Sequence, residues 1–245
     1  MNLLLTKKSN NMKKTEETDK PLKYGCEFCK REFVKETTML KHICEYKHRY
    51  LEKDRQGNRI GFQSWLDFYK KNTASKKNKT YEEFIKSAYY TAFVKFGAYC
   101  VNINALNINR FTDWLLKNQI KIDNWCSDSV YSKYLCEYLR TEDSMDAIHR
   151  SVETTMEWAA TEGIQARDYL RYGNANRITQ LIAVGKISPW MLYHSNSGTQ
   201  FLDGLQQDHV KMIIDYINPE QWAIKFKREP ENVRTVKEIL HAGGY

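Results

Sequence analysis

The sequence predicts a mainly α protein, with a small ββα module near the N-terminus followed by an irregular all-α domain. Three observations carry this. From Thr80 onward apolar residues recur at helical spacing almost throughout. Only four prolines occur, at positions 21, 189, 219 and 230, so none interrupts residues 22–188. A short segment with three cysteines and two histidines (Cys26, Cys29, His42, Cys44 and His48) stands apart from the rest.

Composition narrows the class. The chain has 245 residues, 42% hydrophobic and 13% aromatic, enough for a packed core and against global disorder. No apolar run approaches the roughly 20 residues needed to span a bilayer. Leu3-Leu4-Leu5 precedes Lys7 and Lys8, the reverse of the secretory order. An intracellular place is therefore expected: cytoplasmic or nucleoid-associated, or for a viral protein the host cytoplasm or virion. In a reducing compartment the cysteine cluster points to metal, while Cys100, Cys126 and Cys136 are expected as small buried hydrophobes.

The formal charge of +8 is unevenly spread. Residues 1–80 hold 20 Lys+Arg and 10 Asp+Glu, a net of +10, and the remainder nets −2. A basic segment beside a near-neutral globule suggests a polyanion-binding part attached to a part with another task; the plain alternative is a solvated lysine-rich tail.

Taken in order, residues 1–21 read as a disordered basic arm, 22–59 as the Cys/His module with a helical extension, 60–79 as an amphipathic segment and linker, and 80–245 as the all-α domain. In the third stretch Phe62, Trp65, Leu66 and Tyr69 form a stripe expected to pack onto the domain that follows. Thr80 and Glu83 make a capping box, and Phe84, Ala88 and Ala92 follow at four-residue spacing. Phe111, Trp114 and Leu115 continue after an Asn-rich connection at 102–109. Val130, Tyr131, Tyr134, Leu135 and Tyr138 make the next stripe, and Met145, Ile148, Val152 and Met156 another, closed by Gly163. Pro189, Asn218-Pro219 and Pro230 mark later helix starts, and Gly185 and Gly243-Gly244 mark ends. The domain is expected to stand alone from Thr80.

The Cys/His segment reads YGCEFCKREFVKETTMLKHICEYKH, with C-x2-C, twelve residues, then H-x5-H. Two cysteines three apart can sit on a tight hairpin turn with both sulfurs facing one way. Two histidines near a helix end can meet them, completing the closed tetrahedral shell of structural zinc. Phe33, Met39 and Tyr24 supply a miniature core. Cys44 is the alternative fourth ligand. On a continuous helix it faces away from His42, whereas His48 can return to His42's side, so one zinc held by Cys26, Cys29, His42 and His48 is expected.

These residues resemble the two-cysteine, two-histidine zinc finger, with the histidine gap of its matrin-type branch. The resemblance covers about 30 residues and implies a ββα fold and binding to DNA or RNA. If the module docks as that family does, Lys35, Thr38 and Lys41 meet bases, and Lys47, Arg49, Lys53, Arg55 and Arg59 supply salt-sensitive backbone contacts beside Lys30 and Arg31. Tyr46 and Tyr50 interleave with them as possible stacking groups, and Trp65 is expected in the core. A protein partner for the finger is the competing expectation.

The all-α domain holds no phosphate loop, dinucleotide motif or H-E-x-x-H, and no small-molecule substrate is expected. His149, His194, His209 and His241 have no partner at ligand spacing. Glu142, Asp146, Glu153 and Glu157 recur at helical spacing, where a solvated face is the ordinary outcome and a metal-dependent nuclease cluster the alternative. Residues 176–193 resemble a helix-turn-helix with Gly185 at the turn, but the second helix has no Lys or Arg, so core packing is expected. The domain is also similar in general character to proteins of large tailed phages, with no motif carrying the likeness. The function expected is nucleic-acid binding by an adaptor or regulator whose helical domain docks on a transcription or replication protein. The alternatives are an assembly protein whose finger binds protein or only stabilises the fold, and a nuclease.

Overall fold

The computed structural model describes residues 23–73 and 78–245. The arm expected over 1–21 and residues 74–77 of the expected linker lie outside the described residues. The described chain is mainly helical, with one two-stranded sheet, and it divides after Leu51 into two units.

The first unit opens with an antiparallel pair, β1 (Tyr24–Gly25) and β2 (Glu32–Phe33), in which Tyr24 faces Phe33 and Gly25 faces Glu32. Two short helices follow, α1 (Glu36–Lys41) and α2 (Glu45–Leu51). Cys26 is the one buried side chain among residues 23–51; Tyr24, Phe33 and Met39 are half-buried. So small a core does not close a fold without another tie.

The second unit begins with α3 (Gln56–Asn72). Next come α4 (Tyr81–Ile85), α5 (Tyr90–Asn102) and α6 (Ile108–Lys117), then α7 (Asp128–Thr141) and α8 (Ser144–Glu162). Shorter helices complete it: α9 (Tyr169–Tyr172), α10 (Ala175–Ala183), α11 (Pro189–His194) and α12 (Asn196–Asp203). The last three are α13 (Gln207–Ile217), α14 (Pro219–Arg228) and α15 (Pro230–Ala242).

The expected capping box at Thr80 and Glu83 forms in both directions, and Gly163 closes α8 with φ +70°. Asn218 caps α14 by accepting the Gln221 N–H, ahead of Pro219. The stripe through Phe84, Ala88 and Ala92 does not run on one helix, because the chain turns at 86–89. The buried face of α5 is Tyr90, Phe93, Phe96, Gly97 and Cys100. On α8 the expected stripe is rotated: Met145 and Met156 are exposed, and Ala147, Ile148, Ser151, Thr154, Thr155 and Ala159 face inward. Small hydroxyl side chains can bury there because each finds an acceptor, as Ser151 Oγ donates to Ala147 O at 2.7 Å.

The position of α3 corrects the expected boundary at Thr80. It lies along α5 so closely that a Cβ on Gly97 would sit 1.9 Å from the Gly57 carbonyl oxygen, and one on Gly61 2.5 Å from the Phe93 oxygen. Trp65 is 2% exposed and meets Phe84 at 5.2 Å between ring centroids; Ser64 Oγ and Thr112 Oγ1 lie 3.1 Å apart, linking α3 to α6. An aromatic core continues from there through Phe93, Phe96, Trp125, Phe111 and Tyr134, with centroids 4.7–5.6 Å apart along the chain of contacts. Helix α3 thus belongs to the core of the helical unit, which starts at Glu52.

Helix α11 is the centre of the other half: Pro189, Trp190, Met191 and Leu192 are all buried, packed by α8, α12 and α15. That places the helix-turn-helix-like segment in the core. A buried ion pair ties α7 to α8 here. Arg150 donates to Glu142 from two nitrogens, at 2.6 and 2.9 Å, and from Nε to the Gly185 carbonyl at 2.9 Å, while Ser188 Oγ donates to Glu142 at 3.3 Å. Burial pushes the Glu142 carboxyl up, and Arg150 holds it against that. Arg150→Met is expected to cost about 3–5 kcal/mol at neutral pH by leaving a buried unpaired carboxylate. With the folded pKa then raised, the variant keeps its stability below the ordinary carboxylate range and loses it as pH rises through the raised value. Urea unfolding at several pH values measures this.

Candidate metal centre

The hairpin places the first two donors. Cys26 N donates to Arg31 O at 2.9 Å and Lys30 N to Cys26 O at 2.8 Å, a tight turn that closes through Lys30 in the left-handed region at φ +62°. Both sulfurs meet turn amides. The Cys29 N–H, directed at the Cys26 sulfur, holds that thiol below its ordinary value. At Cys29 the Arg31 N–H acts the same way, but desolvation and the neighbouring Cys26 and Cys44 sulfurs outweigh it and push that thiol up. Crowded sulfurs of this kind are stabilised by a cation between them.

Helix α1 ends at Lys41, and His42 is already extended, with φ −70° and ψ 120°. This break decides the fourth donor. On a helix, residues two apart face opposite sides, but on an extended chain they face the same side. His42 and Cys44 therefore point together. Cys26, Cys29, His42 and Cys44 bring one donor atom each within 4.8 Å of one another, the one group of three or more such donors among the described residues. His48, on α2, is not in it. The expectation that His48 completes the set rested on a helix continuous past His42, and the structure puts Cys44 there instead.

A tetrahedral ion with bonds of about 2.3 Å to sulfur and about 2.0 Å to nitrogen sets two sulfurs about 3.8 Å apart, and sulfur and nitrogen about 3.5 Å apart. The Cys26 and Cys44 sulfurs are 3.9 Å apart, and Cys29 Sγ lies 3.3 Å from His42 Nε2. The donors fit one four-coordinate ion with no open position. Cys44 also starts α2: its sulfur accepts the Lys47 N–H at 3.4 Å and its carbonyl the His48 N–H at 2.9 Å. The Phe33 ring lies 4.8 Å from the His42 ring and fixes its plane.

The eight residues expected at a nucleic-acid surface are divided between the units. Lys35, Thr38 and Lys41 are exposed at the start, along and at the end of α1. Lys47 and Arg49 lie on α2, where Lys47 Nζ donates to His42 O at 3.3 Å and Arg49 pairs with Glu45. Lys53, Arg55 and Arg59 belong to the helical unit, with Arg55 paired to Glu52 at 3.0 Å. Divided at residue 51, the net charge is +5 on the first unit, from 12 Lys+Arg and 7 Asp+Glu, and +3 on the second. Half of the positive excess expected of the finger is thus carried by the start of the helical unit.

The acidic series Glu142, Asp146, Glu153 and Glu157 is not gathered into a donor group like that of the cysteines. Glu142 is spent on Arg150, and Glu153 lies 3.5 Å from His149 on the exposed face. No helix among the described residues is long and apolar enough to cross a membrane. Neither a protein-family model, nor a curated protein, nor a solved structure matches the chain, so neither the finger family nor the phage likeness gains a relative.

Proposed function

We infer that this chain is a nucleic-acid-binding protein whose N-terminal unit is held by one structural zinc ion. Three thiolates and an imidazole in a closed shell suit zinc, which needs no open position to tie a fold. The observation that carries the binding is the face this leaves outward: Lys35, Thr38 and Lys41 follow one another at three-residue spacing along α1, all exposed. Around them residues 23–51 hold seven Lys+Arg against four Asp+Glu. Lysine meets phosphates and guanine edges, so contacts made mainly to the backbone, with modest base preference, are expected. The helical unit, with its closed core, serves as the docking part of an adaptor.

Fluorescence anisotropy with labelled duplex DNA, single-stranded DNA and RNA over a range of salt tests this. Each phosphate neutralised on a duplex contributes about −0.9 to the log–log slope, so replacing Lys35 and Lys41 with alanine should weaken binding and flatten the slope by about 2. No binding to any of the three at low salt would end the proposal. One observation favours a second function, protein docking by the same unit: Val34, Leu40, Ile43 and Leu51 are 63–74% exposed. Under it, Leu40→Ser would abolish capture of a protein partner and leave nucleic-acid affinity untouched.

A further inference from the structure

A polar cleft of about 620 Å³ lies in the helical unit between α3 and the start of α6, lined by Gln56, Arg59, Gln63, Asn107 and Asn109 around Ile60, Ala105 and Ile108. We propose that this cleft binds one nucleotide unit of a single-stranded nucleic acid. The proposal rests on the nucleic-acid function above, but it concerns a surface in the other unit.

Its charge fits such a ligand. Arg59 is exposed and makes no ion pair among the described residues, and no carboxylate lines the cleft. One cation among four carboxamides matches a unit that brings one phosphate with a base rich in donors and acceptors. An acidic peptide presents its charges more densely and leaves carboxamides unused.

Its hydrogen-bonding polarity is set in advance. Gln63 Nε2 donates to Asp67 Oδ1 at 3.2 Å, which leaves the Gln63 carbonyl oxygen to accept from a ligand. Asn107 Oδ1 accepts the Arg110 N–H at 3.1 Å, capping α6, which leaves its NH2 to donate. Gln63 and Asn107 both line the cleft, and an acceptor beside a donor is what the edge of a base requires. The side chains of Ile60, Ile108 and Ala105 give the base face an apolar surface. The backbone supports the arrangement: Asn104 and Asn107 both stand in the left-handed region, at φ +50° and +44°, and turn the connection so that α6 starts at the cleft. The size suits one nucleotide with its phosphate and excludes a duplex, whose bases are not free to enter.

The test uses the full chain and a labelled single-stranded RNA, a DNA of the same sequence and the matching duplex. Arg59→Ala combined with Asn109→Ala alters two exposed side chains, and an unchanged thermal midpoint confirms the fold. Single-strand affinity is expected to fall at least tenfold, and by a clearly larger factor than duplex affinity, which can lose no more than the Arg59 phosphate contact. As a second measurement, 4-thiouridine in the RNA should cross-link to peptides containing residues 56–63 or 105–109. If the wild type binds and the double variant binds single strands equally well, the cleft is overturned and the finger's function stands. Loss of single-strand binding in the double variant, with Lys35→Ala and Lys41→Ala harmless, supports the cleft and overturns the finger. Binding of polyglutamate, with no single-strand binding, overturns the nucleotide assignment in favour of a peptide.

Discussion

Replacing Cys44 with alanine is expected to remove the metal, while replacing His48 is expected to leave about one zinc per chain. The first unit has one buried side chain, Cys26, so an ion held by the four donors would supply most of what ties the hairpin to α1 and α2. Structural zinc sites contribute about 10–16 kcal/mol of apparent binding energy in finger peptides, and that energy is folding energy. Loss of a thiolate opens the shell and leaves the others without a counter-charge. Cys44→Ala should therefore resemble Cys26→Ser, with both losing zinc and the helical signal of α1 and α2. His48→Ala should keep both. Elemental analysis after dialysis against a weak chelator separates the variants, and zinc kept by Cys44→Ala but lost by His48→Ala would show that α1 runs on through His42.

The second large effect concerns α3. Gly97→Ala puts a methyl group 1.9 Å from the Gly57 carbonyl oxygen, a distance no side-chain rotation relieves because the Cβ position is fixed by its own backbone and the atom it meets is backbone. The helices must separate, and Trp65, Phe84 and Phe93 lose their close packing with them. A cost above about 4 kcal/mol is expected, enough to unfold a domain of ordinary stability. For the same reason a fragment of residues 52–245 should fold and give a cooperative melt, whereas a fragment of residues 80–245 should expose the aromatic core and aggregate. A cooperative melt of the shorter fragment, or a Gly97→Ala protein as stable as the parent, would show that α3 is an accessory element.

Much of the fold was legible because helix ends announce themselves in short range. Thr80 with Glu83, Asn218 with Pro219, and Gly163 act within a single turn, so the sequence alone places them. The two corrections had non-local causes. Cys44 replaces His48 because α1 stops at Lys41, and nothing in a six-residue helix marks its end as a glycine or proline would. The role of α3 turned on what it packs against, which its amphipathic stripe does not say. A signal was present in Gly57, Gly61 and Gly97: glycines inside two helical patterns, two of them four apart, mark a close backbone crossing. Of the candidate site, Cys26, Cys29 and His42 were readable from spacing. The division of the basic residues between two units was not, because charge counts carry no boundary.

The Cys44 sulfur both starts α2 and stands as the fourth donor of the candidate metal site. A unit that relies on an ion and a single buried side chain would persist for as long as ligand exchange allows, while the helical unit persists for as long as its aromatic core resists opening. The chain therefore runs on two clocks. With zinc as the occupant, a competing chelator or thiol reagent is expected to erase the first unit and readdition of metal to restore it, while the helical signal of the second unit stays.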